Sequence, residues 1–152
     1  MVVELAQEKV RSLQLSGAAL DQRATQAAAF LLAAAALAGS LLAVETAGSQ
    51  TKLFAAMSCA FFVIGAACAF SGVRSGKQNV PGIEASWWWA ATKLEKFEIA
   101  DARSWAAGYF EDAVAFNIKE DRNRSKGLNA SLWFGLIGGG FVTLAAFSRL
   151  WN

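Results

Sequence analysis

The residues able to do chemistry in this chain are few, and their spacing restricts them further. The chain has 152 residues and no His. That excludes a His-ligated metal site, a His general base and a His-based pH switch. The two Cys, Cys59 and Cys68, lie nine residues apart in one apolar stretch. On a helix they point to opposite sides, so one helix cannot join them in a disulfide. Two small packing residues is the plainer reading, and a redox or metal role is the sharper one. The acidic pairs Glu111/Asp112 and Glu120/Asp121 are adjacent in sequence. Adjacent helical side chains diverge by about 100°, so neither pair makes a carboxylate dyad. No glycine-rich phosphate loop is present. Arg122, Arg124 and Lys126 read as a solvated face or as a contact for anionic headgroups. A net charge of +2 is too small to suggest nucleic acid as a partner. The expectation is a protein that is not an enzyme and holds neither metal nor cofactor.

The elements around these residues point to a bilayer. The apolar share is 55%, charged residues are 17%, and mean hydropathy is +0.34. Three stretches lack any charged residue: Ala24–Val44, Leu53–Val73 and Gly127–Ser148. As helices each spans about 31–33 Å, close to the ~30 Å hydrocarbon core of a membrane. The predicted fold class is all-α: a multi-pass membrane protein with three transmembrane helices. An amino-terminal amphipathic helix precedes them, and a long cytoplasmic helix leads into the last.

Residues 1–23 do not read as a signal peptide, because Glu4, Glu8, Lys9 and Arg11 interrupt the apolar residues. Val3, Ala6, Val10, Leu13, Gly17, Leu20 and Ala24 instead recur at alternating steps of three and four. That heptad seam predicts an amphipathic helix running into the first span. Its partner could be the chain's own cytoplasmic helix, a second copy or the membrane surface. Residues 24–73 read as a two-span hairpin turning at Glu45–Lys52. In the second span, Phe54, Phe61, Phe62 and Phe70 are expected to face lipid, with Gly65 and Ala69 as a contact strip.

Orientation follows from Lys and Arg. Residues 1–23 and 74–126 together carry twelve, whereas the hairpin and the carboxyl end carry only Lys52 and Arg149. The amino terminus and residues 74–126 are therefore expected in the cytoplasm. Within that segment Gly76, Pro81 and Gly82 predict a loop, and Ser86 a helix cap. Ile99, Ala102, Ala106, Tyr109, Ala113 and Phe116 form an apolar helical stripe. The helix is expected to feed the third span, residues 127–152, with Gly127 as a point of possible breakage. Trp87, Trp88 and Trp89, with Trp133 and Trp151, read as interface anchors or as a partner contact.

The third span has the clearest packing signature. Ser131, Gly135, Gly139 and Thr143 form a ladder at steps of four that contains GxxxG. Small residues allow helix backbones to approach closely in lipid, here within one protomer or between two. No charge-free stretch carries an ionisable group, which argues against a pump or ion-coupled carrier. Its hydroxyls are expected to bond back to helix carbonyls or, less simply, to line a pore.

This organisation resembles that of small bacterial membrane effectors. Tyr109-Phe110-Glu111-Asp112-Ala113 through Asn123-Arg124-Ser125-Lys126 is similar to the helix before the last span in the SLATT and Pycsar-type effectors of phage defence. The Pro81-Gly82-Ile83 and Trp87-Trp88 stretch is similar in placement. The resemblance implies a homo-oligomer of the bacterial inner membrane that perturbs the bilayer when activated. No residue carries over as a ligand contact. The alternative is a structural or scaffold subunit whose Trp-rich cytoplasmic helix docks a protein partner.

Overall fold

The computed structural model describes residues 2–45, 47–74 and 99–150, and these form helices and connecting turns without a strand. Helix α1 is Val2–Ser40, α2 is Ser49–Arg74 and α3 is Ile99–Leu150. All three contain stretches long and apolar enough to cross a membrane, within Glu8–Ala43, Ser49–Val73 and Ser104–Leu150. The proposed cap at Ser86, the Pro81-Gly82-Ile83 connection, Trp87, Trp88, Trp89 and Trp151 lie outside the described residues.

Helix α1 ends in a 3₁₀ turn, Leu41–Ala43, after which Val44 is extended. Ala47 N–H donates to the Val44 carbonyl at 3.2 Å, closing the connection to α2. Helix α3 has 52 residues and is unbroken at Gly127. Glycine weakens a helix by about 1 kcal/mol but keeps its N–H, so the hydrogen-bond ladder survives where proline would cut it.

Two compact units divide the chain: Met1–Ala18 with Lys77–Arg122, and Ala19–Gly76 with Asn123–Asn152. In the first, Val10 is buried with Ala106 and Phe110, and Val114 packs against them. The amino-terminal helix thus uses its seam against the chain's own α3. The buried face of α3 here is Ala106, Phe110, Ala113 and Asn117, with Phe116 exposed. Ala106 and Ala113 of the expected stripe are buried, whereas Phe110 and Asn117 take the inward places expected for Tyr109 and Phe116.

In the second unit, α2 and α3 run antiparallel. Thr51 meets Ser148, Ser58 meets Gly138, and Gly65 lies against Ser131. Helix α1 runs parallel to α3, with Leu31 beside Gly135. Buried positions repeat every seven residues: Ala24, Leu31 and Ala38 on α1, and Arg124, Ser131, Gly138 and Ala145 on α3. A seven-residue period keeps one face toward its neighbours over many turns. The interior is made mostly of small side chains, notably Ala28, Ala35, Ala55, Ala66 and Ala69, with Leu31, Phe62 and Arg124 as large exceptions. Large apolar groups point outward, among them Phe30, Leu37, Trp133, Leu136 and Phe147.

Candidate functional site

The seam between α2 and α3 gathers most of the polar and close-packed features of the second unit. Ser58 is fully buried, and its hydroxyl donates to the Gly138 carbonyl at 2.8 Å. Such interhelical bonds contribute about 0.6 kcal/mol on average in membrane proteins. Gly138 also gives room to the Phe62 ring, since a Cβ on it would lie 2.7 Å from that ring. Phe61 stacks on Phe134 and Phe141, and Phe54 on Phe141. Phe62 is buried, so of the four phenylalanines expected to face lipid only Phe70 is largely exposed. Phe62 fills the gap left by Gly138, while Phe54 and Phe61 are half-buried against the rings of α3. Gly65 and Ala69 are buried, as their small size suggests.

The remaining hydroxyls mostly satisfy themselves. Ser40, Ser71, Ser131 and Thr143 each donate to a carbonyl three residues earlier at 2.7 Å. Thr51 and Ser148 share a bond of 2.8 Å across the helices.

Toward residue 124 the seam tightens. A Cβ on Gly127 would lie 2.9 Å from the Cys68 carbonyl oxygen and 3.4 Å from the Gly72 backbone. A Cβ on Gly72 would lie 3.3 Å from the Arg124 carbonyl oxygen. Two glycines therefore let two backbones meet, beside an arginine whose side chain is only 3% exposed. Arg124 Nε lies 3.5 Å from Asp21 Oδ1 on α1, and the Asp21 side chain is 34% exposed. At that distance the pair is held by charge more than by a short hydrogen bond. Arg122 and Lys126 are exposed, whereas Arg124 is turned inward. The three basic residues do not share a face, since alternate residues on a helix lie about 200° apart.

The unequal burial sets an expected result. Asp21→Asn should cost about 3 kcal/mol, the low end for a broken buried pair, because it removes a countercharge from a buried cation. Arg124→Met should cost less, since water already reaches Asp21. The double variant should recover most of the Asp21→Asn loss in thermal unfolding in detergent. A larger cost for Arg124→Met than for Asp21→Asn would show that the guanidinium's other contacts dominate.

The small-residue ladder on α3 is split by the fold. Ser131 is fully buried and Gly135 half-buried, with a Cβ on Gly135 falling 3.0 Å from Leu31. Gly139 has nothing within 4 Å of its Cβ direction, and Thr143 is exposed. Steps of four advance about 40° beyond a full turn, so the ladder winds out of the interior over three steps. Sequence reasoning missed Gly138 and Gly72 as contact residues, which a seven-residue register would have found, and read Gly127 as a break rather than a close approach. Trp133 is exposed on α3.

Chemically reactive groups are sparse. Cys59 and Cys68 are free and half-buried. Among the described residues no group of three or more Cys, Asp or Glu is placed to hold a metal ion. In the first unit, Trp105 and Tyr109 stack with centroids 6.2 Å apart beside Gly108 and Asp112.

These features define an all-helical class with three helices long and apolar enough to cross a membrane. Comparison with protein-family models, with curated proteins and with solved structures finds no match to the chain.

Proposed function

We propose that this chain is a non-enzymatic, multi-pass protein of a bacterial inner membrane that assembles with its own copies and permeabilises the bilayer as a defence effector. The observation that carries the membrane reading is the inversion of side-chain size. Small residues fill the interior of the second unit, while Phe30, Leu37, Trp133, Leu136 and Phe147 point outward, each more than 60% exposed. A soluble protein rarely exposes so large an apolar surface, whereas lipid-facing helices do so by necessity. The excess of Lys and Arg in residues 1–23 and 74–126 supports a cytoplasmic amino terminus.

Assembly is supported by the outer half of the ladder. Gly139 and Thr143 leave a shallow surface that this protomer does not fill, and a second helix could approach there closely. The effector role rests on the resemblance in organisation described above. A scaffold role is favoured instead by the stacked Trp105–Tyr109 pair, since Trp105 is 52% exposed and exposed aromatics are common anchors for partners.

Expression in a bacterium carrying a potential-sensitive dye separates the two. The effector reading expects depolarisation of the cytoplasmic membrane. A chain that inserts at high level, alone and beside its neighbouring genes, without moving the potential would end the pore reading and leave the scaffold.

A further inference from the structure

A groove of about 750 Å³ runs between α1 and α3 in the second unit. Its walls are Phe30 on α1 and Leu132 and Leu136 on α3, all exposed and apolar. Between those walls lie the small residues Ala27, Ser131 and Gly135, and the buried Leu31 and Phe62 complete an apolar lining. The Ser131 hydroxyl is already bonded to the Leu128 carbonyl, so the floor offers no free donor. Over Leu128–Leu136 the trough is about 12 Å long, at ~1.5 Å per residue.

One end differs from the rest. Arg23 and Gln26 line it, and Arg23 makes no ion pair among the described residues. Arg23 is also the last charged residue before the charge-free stretch Ala24–Val44. A cation at that boundary sits at the depth of lipid phosphates, and the trough below it descends through the depth of the acyl chains. Charge at the head, an apolar channel beneath and the matching depth fit one class of occupant.

We propose that this groove holds one acyl chain of an anionic phospholipid, with the lipid phosphate on Arg23. The proposal rests on the membrane reading above. The small residues Ser131 and Gly135 then serve a lipid, while Gly139 and Thr143 remain for a second copy. Lipid occupancy would fill the open side of the α1–α3 pair and couple its packing to the anionic content of the inner leaflet.

The test is native mass spectrometry of the full chain after detergent extraction, with phosphatidylglycerol or phosphatidylcholine of identical chains added back. Wild type should retain phosphatidylglycerol about fivefold better, the size of one basic contact at a membrane surface. Arg23→Gln should abolish that preference. Ala27→Phe, which fills the trough, should abolish it too and leave oligomer size unchanged. Lys126→Gln removes an exposed cation outside the groove and should leave the preference intact. Equal retention of both lipids by wild type overturns the site, as does a loss with Lys126→Gln equal to that with Arg23→Gln. Dissolution of the oligomer by Ala27→Phe would assign the groove to a second copy and also overturn it. A chain that fractionates with water rather than membranes would instead fail the membrane reading itself.

Discussion

Gly138→Leu is expected to disrupt the seam between α2 and α3, whereas Gly139→Leu, one residue on, should leave the protomer folded and abolish its assembly. The two positions differ by about 100° around α3. A Cβ on Gly138 would lie 2.7 Å from Phe62, which is itself buried, and larger groups would also displace Ser58 from the Gly138 carbonyl. Overpacking of this kind costs about 1–3 kcal/mol, and the hydrogen bond adds about 0.6 kcal/mol. A Cβ on Gly139 would meet nothing within 4 Å, so a leucine there is expected to cost the protomer little. Thermal unfolding in detergent should fall sharply for Gly138→Leu and hardly move for Gly139→Leu. Oligomer size and depolarisation should be lost in both, by unfolding in the first and by a blocked contact in the second. Full assembly and activity in a well-folded Gly139→Leu would show that this face looks at lipid, and the assembly surface would have to lie elsewhere.

The same pair of residues shows what was legible in the sequence and what was not. Helical class and span number follow from long charge-free runs, and the structure has three helices of the required length and hydropathy. Register is harder to read. The GxxxG spacing drew attention to Gly135 and Gly139, because steps of four are the familiar signature of close packing. The interior of this fold follows steps of seven instead, through Arg124, Ser131, Gly138 and Ala145. That column mixes a charged residue, a hydroxyl, a glycine and an alanine. No hydrophobicity pattern picks it out, since its shared property is a place in a narrow gap. Phe62 was misplaced for the same reason. An aromatic ring in an apolar stretch looks lipid-facing until the glycine opposite it is known.

Arg124 illustrates the limit from the electrostatic side. Among Arg122, Arg124 and Lys126 nothing local distinguishes the buried member. It is paired with Asp21, which lies 103 positions earlier and 3.5 Å away. Long-range ion pairs leave no periodic trace, so only the packing of α1 along α3 reveals this one. The seam on α1 was easier, because Val10, Gly17 and Ala24 are uniformly small or apolar at seven-residue steps, and all three are buried.

Gly127 should be the least replaceable residue on the seam. Gly127→Ala adds a single methyl group, which at most helix positions is stabilising by about 0.5–1 kcal/mol. Here that methyl would meet the Cys68 carbonyl oxygen at 2.9 Å, with the Gly72 backbone 3.4 Å away. Neither obstacle is the end of a flexible side chain, so relief requires α2 and α3 to move apart. Separation would loosen the close approach of Gly72 to the Arg124 backbone and, with it, the pairing of Arg124 with Asp21. The expected net loss is about 1–3 kcal/mol, against a gain from the same substitution at Gly139 or Gly140, where the Cβ meets nothing. The comparison is internal, since all three sites lie within α3 and share its helix propensity change. Unfolding curves of Gly127→Ala, Gly139→Ala and Gly140→Ala in one detergent give the ranking directly. A Gly127→Ala variant as stable as the other two would mean that the backbones of α2 and α3 do not meet there, and the close approach beside Arg124 would have to be abandoned.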